Sequence, residues 1–168
     1  HMTLSIYRAS VPLYLRGFSQ LSGIMDKAEA NAAARKIELS VLVNSRLAPD
    51  MYPFSGQIQR ASDTAKATVA RLAGVEMPSF ADDETTWEEL RARIAKTVDF
   101  VKSVPESAFE GADTRELTVK LRDRDLTLTG ADYLFDRQLP NFYFHITTAY
   151  AILRHNGVDV GKRDYLGV

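Results

Sequence analysis

The feature that most limits how this chain can fold is an unbroken apolar run at helical spacing in the middle of the sequence. It consists of Trp87, Leu90, Ile94, Val98 and Val101. Intervals of three and four residues place these side chains on one face of an α-helix, and that face must be buried against other elements. Thr86 and Glu89 form a capping-box pattern at the start of this helix, and Pro105 follows its end.

The N-terminal part of the chain predicts a second long helix and then a short one. Apolar residues recur at helical spacing from Leu4 to about Arg35. Because Pro12 lacks a backbone donor, we expect a break near Ser10-Val11, with Ser10 capping the main helix. A short helix is predicted over 39–47.

Two more long helices are predicted, over 54–73 and from about Gly130 to the Asn156-Gly157 pair. Gly74 supplies the C-terminal stop of the first. Pro140 is predicted to stand at the start of the principal part of the second. The inward face of that part is predicted to carry Phe142, His145, Ile146, Ala149, Ile152 and Leu153.

Between 116 and 129 apolar residues alternate with polar ones, which is typical of a β-hairpin. The last residues, 158–168, are expected to pack back on the helices because they contain apolar side chains. Long helices with one apolar stripe each satisfy one another by packing side by side. We therefore predict an all-α fold, a four-helix bundle with a small β-hairpin before the last helix, in a single domain over 1–168.

The composition excludes several classes of function. A formal net charge of −1 disfavours binding to nucleic acid or to an anionic membrane, and the absence of cysteine excludes disulfides and thiolate chemistry. No apolar stretch approaches the roughly 20 residues that span a bilayer, and no secretory signal is recognisable. We expect a cytoplasmic protein, and we interpret His1-Met2 as the remnant of an expression tag before a native start at Met2.

The remaining histidines, His145 and His155, cannot share a metal ion. Ten residues of helix separate them, which is about 15 Å along the axis. His155 lies in the last turn of its helix, where positive side chains complement the helix dipole, and we interpret it as structural.

His145 is the strongest candidate for a functional interior group. Asn141 lies one turn before it, and we expect the two to share a polar pocket. Gln57 and Ser62 flank the apolar stripe of the helix over 54–73, and each either faces that pocket or is a boundary residue. Two interpretations stay open for His145, a structural hydrogen bond or a ligand-binding or catalytic role. Asp50 is predicted either to cap the helix over 54–73 or to project into the same cavity.

Four segments carry a resemblance to a known family: 46–51, 61–66, 139–157 and 161–167. Together they resemble an uncharacterised bacterial family of unknown function in the DinB/YfiT-like superfamily, over essentially the whole chain. The resemblance implies a four-helix bundle, in agreement with the periodicity. None of the familiar nucleotide-binding, serine-hydrolase or zinc-protease motifs is present in the sequence.

The superfamily implies a metal, often nickel or zinc, held by one histidine of the second helix and a His-x-x-x-His pair of the last. His145 matches one position of that pair, whereas Asn141 occupies the other and the second helix has no histidine. We therefore predict a bundle without this metal or another cofactor, which serves as a small-molecule-binding or stress-associated protein.

Two alternatives come with the same resemblance. One is a metal-dependent hydrolase or low-molecular-weight-thiol transferase that uses His145 with nickel or zinc and carboxylates such as Asp50. The other is a homodimeric interaction module that pairs through exposed aromatic residues of the last helix.

Overall fold

The computed structural model describes residues 4–168, so the interpretation of His1-Met2 lies outside the described residues. The helices are α1 Val11–Arg35, α2 Leu39–Val43, α3 Phe54–Ala73, α4 Trp87–Ser103, α5 Gly130–Asp132, α6 Leu139–His155 and α7 Lys162–Leu166. A 3₁₀ turn covers Glu106–Phe109, a π-helical segment covers Tyr133–Gln138, and the strands are β1 Glu116–Lys120 and β2 Asp125–Thr129.

Four long helices pack side by side around one apolar core, which confirms the predicted fold class. Helix α3 contacts both α4 and α6, and α1 contacts the same two helices from the opposite side. Leu21, Ile58, Leu90 and Ile152, one from each helix, are fully buried in this core. The apolar stripes predicted from the spacing are therefore the surfaces that the helices share.

Helix α1 approaches α6 closely because of a glycine. A Cβ atom added at Gly17 would lie 2.6 Å from Cε2 of Phe142, so no larger residue fits without moving that ring. The Phe142 ring in turn packs edge-on against Tyr14 and Phe18 of α1. Gly17 thus sets the distance between α1 and α6.

The predicted signals at the ends of α3, α4 and α6 are confirmed, whereas the predicted side-chain cap of α1 by Ser10 is wrong. Gly74 adopts the left-handed conformation (φ 69°), the Thr86 hydroxyl accepts a hydrogen bond from the Glu89 amide, and α6 ends before Asn156. Ser10 occupies the position before α1, but its side chain makes no cap. Its hydroxyl instead donates to the carbonyl of Ile6 at 2.7 Å, because the preceding residues already form turns that offer this acceptor.

Helix α2 is shorter than predicted and ends at Val43. The Asn44 side-chain amide donates to the carbonyl of Ser40 at 2.8 Å, and the Ser45 hydroxyl donates to the carbonyl of Val41 at 2.6 Å. The Ser45 amide donates to the carbonyl of Leu42 at 3.1 Å, so the carbonyl of Val41 receives the Ser45 hydroxyl in place of an amide and the regular helix stops before the predicted 47.

The last helical region accommodates Pro140 by widening. Proline lacks an N–H group, and its ring clashes with the preceding turn of a regular α-helix. The residues immediately before α6 form the π-helical segment Tyr133–Gln138, and α6 begins with Pro140 in its first turn. The chain therefore stays helical from Gly130 to His155, as predicted.

The hairpin and the tail also follow the prediction. Strands β1 and β2 pair antiparallel, with Val119 opposite Leu126. Val158 and Val160 are buried, and Asp164 of α7 binds Lys27 of α1 at 2.6 Å, which ties the tail to the bundle.

Between residues 4 and 168, no helix combines the length and apolarity needed to cross a membrane.

Candidate functional site

A seam of polar side chains follows the interface between α3 and the last helical region. We call it the polar seam; it consists of Gln57, Thr64 and Thr68 on one side and of Gln138, Asn141 and His145 on the other. Spacings of seven and four residues on α3 face spacings of three and four on the last helix. These intervals keep all members on facing stripes of two helices.

His145 is held at one end of the seam by Gln57. Nδ1 of His145 lies 2.7 Å from Oε1 of Gln57, and Nε2 of Gln57 donates to the carbonyl of Tyr52 at 3.1 Å. A carbonyl only accepts, so the amide of Gln57 must present its oxygen to the imidazole. Nδ1 of His145 therefore carries the proton, and Nε2 is the ring's free acceptor.

The imidazole of His145 is neutral over the physiological range. Burial and, to a smaller extent, the positive charge of Arg60 together lower its pKa from 6.5 to about 4. Every solvent-shielded side-chain nitrogen or oxygen in residues 4–168 has a hydrogen-bond partner, and no described residue contacts Nε2. The residual 9% exposure of His145 therefore includes Nε2, which faces solvent.

The middle of the seam is a chain of hydrogen bonds around Thr68. Its hydroxyl donates to the carbonyl of Thr64 at 2.7 Å and accepts from Tyr14 at 2.8 Å and from Nε2 of Gln138 at 3.0 Å. Burial raises the pKa of Tyr14, so this phenol stays a donor. The donors at this point are therefore fully used, as buried polar groups require.

Asn141 lies between these two parts at the solvent edge. Its side-chain amide donates to the hydroxyl of Thr64 at 3.0 Å, and that hydroxyl donates to the carbonyl of Arg60 at 2.8 Å. Because the Thr64 hydroxyl donates its only proton to the carbonyl of Arg60, it can only accept from Asn141. Asn141 therefore turns its NH₂ group toward Thr64 and its Oδ1 away from Thr64. Among the described residues, none donates to Oδ1 of Asn141.

The orientation of these amides leaves a row of free acceptors. Nε2 of Gln138 is directed to the carbonyl of Thr64 at 3.3 Å as well as to Thr68, so its Oε1 is also turned away. We call Oε1 of Gln138, Oδ1 of Asn141 and Nε2 of His145 the acceptor row. Their three- and four-residue spacing places the three residues on one face of the last helical region, within about 10 Å along the helix axis.

The structure brings together only part of the predicted pocket. Gln57 binds His145 directly, whereas Asn141 lies one turn away on the same seam and binds Thr64 instead. Asp50 is exposed and lies outside the seam. The prediction that Asp50 caps α3 is wrong, because the cap position is Pro53, which makes no side-chain cap.

The amide at the start of α3 is satisfied by the backbone instead. The N–H group of Phe54 donates to the carbonyl of Ser45 at 2.9 Å. A side-chain cap from Asp50 is therefore unnecessary at this position.

Ser62 does not face His145, so the interpretation that places it in the polar pocket is wrong. It is fully buried on the other side of α3, where its hydroxyl accepts from Nε of Arg93 at 2.8 Å and lies 2.7 Å from Oγ1 of Thr97. Ser62 is five residues from Gln57, which on a helix rotates it toward α4 rather than toward α6.

Arg93 of α4 is a buried charged residue that was not predicted from the sequence. It is completely buried and binds Glu84 at 2.8 Å, Asp63 at 2.8 Å and Asp82 at 3.1 Å. We call Arg93 with these three carboxylates and Ser62 the arginine cluster. Every bond links α4 to α3 or to the loop between them, so the cluster fastens that loop to the bundle.

The residues present do not fit the metal centre that the superfamily resemblance implies. Within residues 4–168, no group of three or more histidine, cysteine, aspartate or glutamate side chains is placed to hold an ion. Around His145 the neighbours are amides, and Oε1 of Gln57 already accepts from the imidazole. The positive charge of Arg60 further opposes a cation there.

Comparison with known proteins supports the fold and gives the family. Residues 6–166 match a family described as a domain of unknown function, DUF1993. A crystal structure of a DinB family member protein from Shewanella denitrificans is 45% identical, covers 97% of this chain and 92% of its own, and superposes with a TM-score of 0.92. No curated protein matches the chain. This protein therefore belongs to the DUF1993 family and has a DinB-like fold.

Proposed function

We propose that this protein binds an uncharged, donor-rich small molecule at the acceptor row, without a metal ion. The observation that carries the proposal is the hydrogen bond between Gln57 and His145, which fixes the imidazole tautomer and leaves Nε2 as an acceptor. Because the chain contains no cysteine, we place this activity in the cytoplasm.

The charges around the row define the class of ligand. Nε2 of His145 and the two amide oxygens accept hydrogen bonds, so a ligand must supply O–H or N–H groups. The positive charge of Arg60, which lowers the pKa of His145, disfavours a cationic ligand. An anion would meet the three acceptors of the row, and among the described residues the second N–H of the Asn141 amide is the one donor beside them. A polyol, a primary amide or a heterocycle with N–H groups satisfies these conditions.

The tautomer is tested by nuclear magnetic resonance of protein with ¹⁵N-labelled histidine. We expect His145 to be neutral at pH 7, protonated on Nδ1, and to titrate near pH 4. Gln57→Glu should raise the pKa of His145 by about one to three units, because a carboxylate then faces the imidazole. A proton on Nε2, or a wild-type pKa near 6.5, would remove the basis of the proposal.

Binding is tested with glucose, acetamide and cytosine as uncharged probes, and with acetate and methylammonium as charged controls. We expect the uncharged probes to shift the resonances of Gln138, Asn141 and His145, and these shifts to disappear in His145→Phe. Thr147→Val, on the exposed side of the same helix, is the matched control and should leave them unchanged. Equal shifts from acetate, or shifts that survive in His145→Phe, would contradict the proposal.

The metal-dependent alternative is tested by elemental analysis of tag-free protein purified without chelators. We expect substoichiometric nickel and zinc, with no difference between the wild type and His145→Ala. Stoichiometric metal that is lost in His145→Ala would replace our proposal by a metal-dependent hydrolase or thiol transferase.

A second candidate function is a homodimeric interaction module. Phe144 of α6 is 54% exposed, and Tyr143 beside it is half-buried. Exposed aromatic side chains are typical of protein interfaces. Light scattering at micromolar concentration should then give a dimer for the wild type and a monomer for Phe144→Ser, whereas a monomeric wild type would exclude this candidate.

A further inference from the structure

A groove with a volume of about 740 Å³ shares no lining residue with the polar seam. It is formed by the N-terminal residues 4–7, the 3₁₀ turn Glu106–Phe109 with the residues that follow, and the start of the last helical region. This volume lies within the range of small-molecule sites, which is about 300–1,000 Å³. None of the residues of the acceptor row lines it.

The walls of the groove are aromatic and apolar. Tyr7 and Phe109 meet edge to face with ring centroids 5.3 Å apart, which holds both rings in place. Phe135, which also lines the groove, is 47% exposed, and Ile6 contributes an aliphatic surface. An exposed phenylalanine beside two ordered rings provides faces against which an apolar or cationic body can pack.

The polar lining of the groove has one sign of charge. Glu106, Glu110 and Asp113 all line it, and no lysine or arginine does so among the described residues. Within residues 4–168 none of these three carboxylates forms an ion pair. By contrast, the carboxylates of the arginine cluster are paired. The charged side chains that line the groove are therefore all negative, and the nearby Arg115 guanidinium donates to the carbonyl of Glu110 at 3.2 Å without lining the groove.

We propose that this groove, which we call the acidic groove, binds a small organic cation with an aromatic or aliphatic body, such as a substituted amine or a quaternary ammonium compound. The apolar walls accept the body of the ligand, the aromatic faces attract its positive charge, and the carboxylates at the rim add long-range attraction. An anionic ligand is repelled by the same carboxylates. This inference is independent of the acceptor row and of its uncharged ligand.

The experiment is a titration of the ¹⁵N-labelled full chain with benzyltrimethylammonium. Benzenesulfonate, an aromatic anion, and benzyl alcohol, an uncharged aromatic, are the comparison probes. We expect the cation to shift resonances of Tyr7, Phe109 and Phe135 saturably, with weaker binding of benzyl alcohol and none of benzenesulfonate. Binding of the cation should also weaken as salt is added.

Variants separate a local site from general electrostatic attraction. The triple variant Glu106→Gln, Glu110→Gln, Asp113→Asn should weaken binding of benzyltrimethylammonium about tenfold. The triple variant Glu38→Gln, Glu88→Gln, Asp123→Asn removes the same formal charge at exposed positions elsewhere and should leave the affinity within about twofold. Phe135→Ala should weaken binding about threefold or more, because it removes one aromatic face.

Several results would overturn the proposal. Equal weakening by the two triple variants would show non-specific attraction, and equal binding of benzenesulfonate would show a purely apolar groove. Shifts confined to residues outside the groove would place the cation elsewhere. Contacts between residues 1–3 and Phe109, with no response to the cation, would show that the chain itself fills the groove. All substitutions lie at exposed positions, and thermal unfolding checks that each variant is folded.

Discussion

Helix α3 carries polar side chains on both of its buried faces. The two faces differ in how these polar groups find partners. Toward α4, Arg93 binds three carboxylates and the Ser62 hydroxyl, so a full positive charge is compensated by charge. Toward α6, the polar seam uses neutral amides, hydroxyls and one neutral imidazole. The first face is a closed network, whereas the second leaves acceptors turned to solvent.

The difference shows why burial of polar groups alone does not identify a binding site. In the arginine cluster every donor of Arg93 is directed to a protein acceptor, and Glu84 is almost as buried as its partner. Such a network stabilises one arrangement and has no free group for a ligand. In the polar seam the three acceptors of the acceptor row have no protein donor within residues 4–168, which is the pattern that a ligand with O–H or N–H groups can complete.

The largest expected effect comes from breaking the arginine cluster. Arg93→Met removes the cation and leaves Glu84 buried without its ion-pair partner, with only the 3.5 Å hydrogen bond from Gln59 in the described part of the chain, which should lower the free energy of unfolding by about 3–5 kcal/mol. Urea denaturation monitored by circular dichroism measures it. Arg91→Met, on the same helix and bound to the exposed Asp26, is the matched control and should lower it by about 1 kcal/mol or less.

A second variant sharpens that result. Adding Glu84→Gln to Arg93→Met should restore part of the lost stability, because the uncompensated charge then disappears. If Arg93→Met lowers the free energy of unfolding by less than about 1 kcal/mol, the arginine cluster does not stabilise the attachment of the loop to the bundle.

The next effect is acid destabilisation through His145. The unfolded chain has the ordinary histidine pKa of 6.5 and the folded chain a pKa of about 4, so only the unfolded chain binds this proton between those values. The free energy of unfolding should therefore fall as the pH drops from about 6.5 to about 4, by at most about 3 kcal/mol. Urea denaturation at a series of pH values measures this decrease.

The variant His145→Asn isolates this contribution. Asparagine has no titrating group, so the decrease between pH 6.5 and 4.5 should largely vanish. The carboxylates with lowered pKa values, such as Glu29 bound by Arg91 and Asp164 bound by Lys27, lose their contribution only at lower pH, below their ordinary pKa values of 4.5 and 3.8. An unchanged pH profile in His145→Asn would contradict the burial of a neutral imidazole.

A smaller effect is expected from the middle of the seam. Thr68→Val keeps the shape of the side chain but removes the acceptor for Tyr14 and Gln138, which should lower the free energy of unfolding by about 1–3 kcal/mol. Thr147→Val on α6 removes only a solvent-exposed hydrogen bond to Tyr165 and should change it by about 0.5 kcal/mol or less. Equal effects of the two variants would argue against the hydrogen-bond chain.

The smallest effect is expected at Asn141, because it lies at the solvent edge of the seam. Asn141→Ala removes one hydrogen bond to Thr64, whose hydroxyl keeps the carbonyl of Arg60 as its acceptor. We expect a decrease of about 0.5–1 kcal/mol in the free energy of unfolding, measured by the same denaturation experiment. A decrease above about 2 kcal/mol would mean that Asn141 is structural, and its Oδ1 would then be a weak argument for ligand binding.

Much of the seam was predictable from spacing, whereas the arginine cluster was not. Gln57 and His145 lie on apolar stripes of helices that pack together, so their meeting follows from helix periodicity. Arg93 also carried a signal, since it stands three residues after Leu90 and four before Thr97 on the buried face of α4. Its carboxylates Asp82 and Glu84, however, come from a loop without periodicity, and nothing local directs them to Arg93.

The sequence by itself determined the class of the fold, the positions of its long helices and the position of His145 on an inward face. Helical spacing, glycine and proline act within a few residues of the chain, and such local rules can be read without a structure. Only the tertiary structure decided which amide oxygens and which imidazole nitrogen stay free, that Asp50 stands apart, and that the aromatic rings and carboxylates of the acidic groove meet. These outcomes depend on partners far apart in the chain, whose pairing is selected by the packing of the whole bundle.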